Sequence, residues 1–231
     1  MISLEELQFE NQIEAAKKIV EILPNDLGYN DYLMVCSSLD SVVVADIVAR
    51  ELKVSYEIMF CENIYAPYND ECVIGMVSET QEIVLHENLI NSFGITLGYV
   101  FGEAHRKFEE KVLKNIYKYR KGNLLGELAN KNILLIDEGC ETGLTAEICV
   151  KTLLNEGVKS ITYLTPLISI DIADELNVLV DKVYAVHKIA NFVGVDFYYK
   201  NKIIPSPEII MSILEESPYY LPLQKGDKNA S

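Results

Sequence analysis

The alternation between residues 132 and 187 restricts the fold more than any other feature of the chain. "NILLI" is an unbroken apolar run, and "GLTAEICVKTLLNEG" has helical character and closes on Gly157. "SITYLTP", "ISIDIADELN" and "DKVYAVH" then repeat the pattern of strand, helix and strand. A strand that faces water on one side alternates polar and apolar residues, whereas a strand covered on both faces does not. Crossover helices supply that cover, so the spacing predicts an α/β protein with a mostly parallel, Rossmann-like central sheet flanked by helices.

The amino-terminal half extends the same scheme. "DYLMVCSS" reads as a strand, "LDSVVVADIVARELK" as a helix and "VSYEIMF" as a second strand. Phe9, Ile13, Ala16, Val20 and Leu23 share one helical face, and Pro24 follows where that helix should stop. Leu97, Phe101, Ala104, Phe108, Val112, Ile116 and Tyr119 mark a long amphipathic helix that ends near Gly122. Between them "CVIGMVS" and "EIVLH" are short β-like runs after an "APYND" turn. These middle loops, with the carboxyl-terminal segment, are expected to form a small hood. No linker or repeat divides the chain, which predicts one domain over 1–215 and a loosely held tail over 216–231.

Lys and Arg number 20 against 35 Asp and Glu, a formal net charge of -15. Such a field repels polyphosphate backbones, and the densest basic stretch, "HRKFEEKVLKNIYKYRKG", has acids interleaved along a helix, so nucleic acid is not an expected partner. No apolar run approaches the ~20 residues that span a bilayer. "MISLEELQFE" is acidic and amphipathic, unlike a secretory leader, and the expectation is a cytoplasmic protein without a membrane partner. Five cysteines, none in a CxxC pair, and three well-separated histidines argue against a metal site built by the protein alone.

The candidate site is "LLIDEGCETGLT", residues 134–145. In an open α/β sheet ligands bind beyond the carboxyl ends of the strands, and this stretch links a strand to a helix there. Thr142, Gly143, Leu144 and Thr145 open the helix, where backbone N–H groups lack intrahelical partners and suit a phosphate. Asp137 and Glu138 are acceptors of the kind that hold vicinal sugar hydroxyls. The combination describes a ribose 5-phosphate; the plainer alternative is a strand-turn-helix that happens to carry acids and a Thr-Gly cap.

The stretch resembles the signature of type I phosphoribosyltransferases: an apolar strand, two acids, three variable residues, then Thr-Gly-x-Thr. Asp137, Glu138, Thr142, Gly143 and Thr145 match it. Residues from about 10 to 200 resemble a family of bacterial "predicted phosphoribosyltransferases" of about this length. "APYNDECVIGMVSE" keeps Ala66, Pro67, Asn69, Glu71, Ile74 and Gly75 of that family's segment, and "NFVGVDFYY" resembles its aromatic Val-Gly segment. The resemblance implies a type I phosphoribosyltransferase-like fold. It also implies that Asp137 and Glu138 hold the ribose hydroxyls while Gly139, Cys140, Glu141, Thr142, Gly143, Leu144 and Thr145 wrap the 5′-phosphate of phosphoribosyl pyrophosphate. Transfer to an unassigned acceptor would release pyrophosphate, with Mg²⁺ carried in by the substrate.

Departures from the family pattern concern the leaving group. Where the family has Arg-Gly-Gly, the pyrophosphate-loop candidates are Ser37, Ser38, Leu39 and Asp40, in the stretch Cys36–Ser41. Ser38 or Asp40 capping the following helix is the competing reading. Basic residues expected before the Ala-Pro turn are replaced by Cys61, Glu62 and Asn63. Arg106 and Arg120 either compensate or, as the commoner case, are solvated on the helix surface. Glu141 occupies the place of an acid that exchanges a proton with the base in the hypoxanthine-guanine branch, making it a candidate general base; a solvent-facing loop carboxylate is the alternative. Cys140 is either redox-sensitive or a small loop residue. Tyr65, Tyr68 and Phe192 either stack on a base or pack. Two functions follow, a transferase or an impaired protein that senses nucleotide or phosphoribosyl pyrophosphate; a homodimer is the commonest assembly for either. A third, an assembly subunit using the surface around "SPYYLP", has less behind it.

Overall fold

The structure, a computed structural model, describes residues 4–24 and 28–224. Two helices, α1 (Leu4–Leu7) and α2 (Gln12–Ile22), precede β1 (Tyr32–Cys36), α3 (Val42–Leu52) and β2 (Tyr56–Ile58). Three further strands follow, β3 (Cys61–Ala66), β4 (Asn69–Ser78) and β5 (Ile83–Leu85). Then come α4 (Glu87–Ser92), α5 (Leu97–Lys107), a π-helical turn (Phe108–Val112) and α6 (Leu113–Arg120). The last part runs β6 (Asn132–Ile136), α7 (Leu144–Asn155), β7 (Ser160–Ser169), α8 (Ile170–Leu179), β8 (Lys182–Ile189), α9 (Pro207–Glu216) and α10 (Leu221–Gln224). No helix among the described residues is long and apolar enough to cross a membrane.

Five strands form a wholly parallel sheet in the order β2-β1-β6-β7-β8. Successive side chains of a strand point to opposite faces. Met34, Cys36, Leu134 and Ile136 accordingly enter one core with α2 and α3, while Leu33, Val35, Ile133 and Leu135 enter another with α7. Both faces are covered, which is why these strands carry no polar alternation. From β1 the chain moves outward to β2, and from β6 it moves the other way to β7 and β8. The β1/β6 boundary is thus the topological switch point, where the loops at the strand ends diverge and leave a crevice.

The small hood is an antiparallel sheet, β3-β4-β5, resting on Val100 and Ala104 of α5. Gly75 is obligatory there, because a Cβ would lie 2.5 Å from the Val84 carbonyl oxygen. The sequence pattern does not announce β3: Glu62 and Asn63 interrupt its apolar character, and it is an edge strand with register shifts around Tyr65.

Several expectations are corrected. The first long helix starts at Gln12, because the Asn11 side chain accepts from Ile13 N–H and Glu14 N–H and fixes the start. Its buried face is Gln12, Ala15, Ala16 and Ile19, while Ile13 is half exposed and Phe9 lies outside the helix, bridged to Tyr199. Arg120 is fully buried rather than solvated; it forms an ion pair with Glu79 and lies over the Phe60 ring. The segment expected to be loose from 216 onward is packed as far as 224, with Tyr220 buried, bridged to Tyr56 and donating its hydroxyl to the Tyr119 carbonyl. Residues 225–231 lie outside the described residues.

Candidate functional site

Parallel pairing of β1 with β6, Cys36 opposite Ile136, brings the loops that follow the two strands side by side. Ser41 joins them. Its hydroxyl donates to Asp137 Oδ1 at 2.9 Å and accepts from Glu138 N–H at 3.1 Å. Neither Ser38 nor Asp40 caps α3: the helix is preceded by Ser41 without a side-chain cap, and the Ser38 Oγ accepts from Ser41 N–H at 3.3 Å in the turn before it. Asp40 is exposed at the rim.

Asp137 is buried one residue beyond β6. Besides Ser41, it accepts from Glu138 N–H at 2.8 Å and, on Oδ2, from the Tyr163 hydroxyl at 3.2 Å. The Ser37 hydroxyl is a further partner, so the buried carboxylate is held from several sides. Burial raises the Asp137 pKa, opposed by these hydrogen bonds.

Glu138 is also buried, and its Oε1 lies 2.6 Å from Lys202 Nζ. Oε2 has no hydrogen-bond partner among the described residues. Its backbone carbonyl accepts from the Tyr199 hydroxyl at 2.8 Å. Burial is the main cause that pushes the Glu138 pKa up to about 7; Lys202 pulls it down, and Asp137 and Asp40 push it further up.

This raised pKa makes a prediction for stability. Glu138 has an ordinary value of 4.5 when unfolded, so the folded state binds the proton more tightly. Its contribution is fully present below that value and is lost as pH rises through about 7. The melting temperature is therefore expected to fall by about 5 °C between about pH 5 and about pH 8, and Glu138→Gln to flatten that slope. An identical slope in the variant, followed by circular dichroism, contradicts the assignment.

The loop after Glu138 is shaped by close approaches. A Cβ on Gly139 would meet both methyls of Val195 at 2.8 Å. Gly143 has φ 78°, and a Cβ there would lie 3.0 Å from Ile172 Cγ2, so position 143 needs glycine for backbone and for space. Gly143 is the N-cap of α7 and has no side-chain cap bond among the described residues, so the N–H groups of the first turn lack intrahelical partners. Thr142, Gly143 and Thr145 line a cavity of about 190 Å³ with Asp137, Gly139, Cys140 and Glu141. Glu141 is an exposed part of that wall. Cys140 is buried and its thiol is pushed up to about 12 by burial, which is opposite to the activated thiolate of a redox sensor.

Two more cavities adjoin this cradle. One of about 310 Å³ is lined by all four expected pyrophosphate-loop residues, Ser37 to Asp40, together with Glu62, Asn63 and Asn115. The other, of about 580 Å³, lies against the hood between Asn69, His86, Leu89 and the start of α7, where Thr142 and Leu144 face it. Thr145 borders all three, and its hydroxyl approaches Met76 Sδ of β4 at 3.7 Å.

Among the described residues, no lysine or arginine lines any of the three. Arg106 is exposed and paired with Glu103 and Glu110, and Arg120 is occupied by Glu79. The expected aromatics also lie elsewhere: Lys107 lies over the Tyr65 ring, Tyr68 is fully exposed on its hairpin, and Phe192 packs on Tyr198. Sequence reasoning misses Ser41, Tyr163, Tyr199 and Lys202. Ser41 stands inside the quoted loop and Tyr199 closes the quoted "NFVGVDFYY", but their partners in the site are distant in sequence, and Tyr163 and Lys202 carry no signal of a role there.

No family model matches the chain. Two curated proteins of Mycobacterium tuberculosis, from strains CDC 1551 and H37Rv and provisionally named phosphoribosyl transferases, are each 20% identical over 176 residues. That match covers 76% of this chain but only 40% of the length of those relatives. Among solved structures, TT1426 from Thermus thermophilus superposes with a TM-score of 0.72 at 24% identity, covering 91% of this chain and 99% of that one. The chain thus has the fold of TT1426, and over three quarters of its length its sequence is similar to proteins provisionally named phosphoribosyl transferases.

Proposed function

We propose that the crevice at the β1/β6 switch point binds a ribose 5-phosphate group, and that the protein transfers it from phosphoribosyl pyrophosphate to an acceptor. The observation that carries this reading is the buried Oε2 of Glu138, without a hydrogen-bond partner among the described residues, five residues before the uncapped helix start at Gly143. A buried acceptor without a donor is costly, and a sugar hydroxyl would satisfy it. The phosphate would rest on the first-turn N–H groups of α7, with the Thr142 and Thr145 hydroxyls beside it.

In the transfer, an acceptor lone pair forms the new bond to C1. The C1–O bond breaks, and its electron pair leaves with pyrophosphate. Glu141 is the carboxylate on the cradle wall suited to take the acceptor's proton. Mg²⁺ arriving with the substrate would meet oxygen donors in the 310 Å³ cavity, Asp40 and Glu62 with the Ser37 and Ser38 hydroxyls. Such a set suits a hard cation that is shared with phosphate oxygens.

The same cavity favours a second reading. Its described lining holds two carboxylates and no basic side chain, with Lys107 and Lys111 acting on Glu62 from outside the wall, so diphosphate finds less charge stabilisation there without the metal. A protein built this way binds nucleotide or phosphoribosyl pyrophosphate without turning it over.

Calorimetric titration with phosphoribosyl pyrophosphate, ribose 5-phosphate and nucleoside monophosphates, with and without Mg²⁺, tests both. Binding is expected, and Glu138→Gln is expected to weaken it by about tenfold. Pyrophosphate release with a panel of acceptors selects the transferase; binding without release selects the sensor. A wild-type protein that binds none of these compounds overturns both.

A further inference from the structure

The segment from Gly194 to Lys202 belongs to neither sheet, yet it holds the loop after β6 at three points. Val195 packs against Gly139 so closely that a Cβ would not fit, and the Tyr199 hydroxyl holds the Glu138 carbonyl. Lys202 Nζ sits between Glu138 Oε1 at 2.6 Å and Asp196 Oδ1 at 2.7 Å. Asp196 is largely exposed and Lys202 only 16% so, which orients the ammonium inward.

We propose that Lys202 is a positioning residue for the ligand's sugar: it grips Glu138 by Oε1 and favours its ionised form, so that Oε2 is presented to a hydroxyl of a ribose diol. The inference rests on the reading of Glu138 as a sugar acceptor. It adds the residue that makes such an acceptor workable in a chain of strong negative charge.

The groups facing Glu138 explain why one lysine matters. Asp137 precedes it in the chain, Asp40 approaches from the loop after β1, and both disfavour its ionised form. The Tyr199 phenol engages only the backbone carbonyl. Lys202 is the single cation acting on the carboxylate among the described residues. An ionised acceptor makes the stronger, charge-assisted bond to a hydroxyl. Without the ammonium, burial and two neighbouring acids would leave Glu138 protonated through neutral pH. Loss of Lys202 would also release the Glu138 side chain from its fixed rotamer.

The test compares Lys202→Met and Lys202→Arg with wild type, using ribose 5-phosphate alone as the probe and calorimetry from about pH 6 to about pH 9. Lys202→Met is expected to lose about tenfold in affinity at neutral pH, with the midpoint of its pH profile moved upward, and Lys202→Arg to restore most of both. A carbon-13 titration of the Glu138 carboxyl in the ligand-free proteins gives an independent measure. Its midpoint is expected to be higher in Lys202→Met than in wild type. An unmoved carboxyl titration overturns the proposal, as does tighter binding by Lys202→Met, which would make Lys202 a competitor of the ligand. Failure of wild type to bind the probe instead overturns the sugar-phosphate reading, and with it the role of Lys202 in binding. The carboxyl titration then still decides whether Lys202 controls Glu138.

Discussion

Arg120→Met is expected to lower the free energy of unfolding by about 3–5 kcal/mol, the usual cost of removing one partner from a buried ion pair. The guanidinium is fully buried, paired with the Glu79 carboxylate and stacked on Phe60 at 4.8 Å. Glu79 also accepts from Phe60 N–H at 2.9 Å, so the pair fixes the strand end that forms the floor of the 310 Å³ cavity. Without Arg120, Glu79 faces burial and the nearby Glu57 with no opposing charge; both already raise its pKa. Urea denaturation measures the loss, which shrinks at acid pH because a protonated Glu79 no longer needs a counter-charge. The double variant Arg120→Met/Glu79→Gln recovers part of it, since both charges are then gone. A single variant within about 1 kcal/mol of wild type would show that the pair contributes little beyond its own desolvation. Arg120 Nε and Nη1, which have no partner among the described residues, act in that direction.

The second large effect concerns ligand binding. Gly143→Val is expected to weaken phosphoribosyl pyrophosphate and ribose 5-phosphate by about 100-fold, with about 1–3 kcal/mol lost from stability. A branched side chain disfavours φ 78°, and it would push into Ile172, so the helix start must move away from the anion. Gly94→Ala provides the control. Gly94 also has a positive φ, 60°, but a Cβ there meets nothing within 4 Å. Its substitution should cost about 1 kcal/mol and leave affinity unchanged. Parallel calorimetry and thermal melts separate the two effects. Equal affinity losses in both variants would mean that global strain, not the shape of the cradle, governs binding.

The legible parts of this protein are those written in contiguous residues. "NILLI" gives β6 residue for residue, because a central strand is covered on both faces and after Asn132 its four residues are buried and apolar. The loop after it is readable for the same reason: cradle, acids and helix start lie within 134–145. Arg120 is misjudged from sequence because it stands next to Tyr119, at the border of the apolar stripe, while its partner Glu79 comes from the end of a different sheet. β3 escapes notice because an edge strand tolerates Glu62 and Asn63, whose side chains border the crevice. Lys202 lies in an irregular stretch after β8, where no periodicity predicts which way a side chain turns. Local pattern reports burial and backbone geometry, whereas the partner of a buried charge depends on how distant segments meet.

Thr145 stands where the three cavities meet, and the crevice divides there by ownership. The cradle is made by β6, α7 and their connecting loop, all parts of the large sheet's framework. Much of the wall of the other two cavities comes from β3 and β4, which have an apolar cluster of their own with α5. At Thr145 the two halves meet through a weak polar approach to Met76, while Met76 and Val84 of the hood pack into the apolar cluster of α7 and Lys151 of α7 reaches the Ile83 carbonyl and Glu82. Exchange of the hood for another that keeps the Met76, Val84 and Lys151 contacts with α7 would replace the surface that meets an incoming partner while leaving the anion cradle standing. A division of this kind lets one scaffold retain a common handle and diversify what is attached to it.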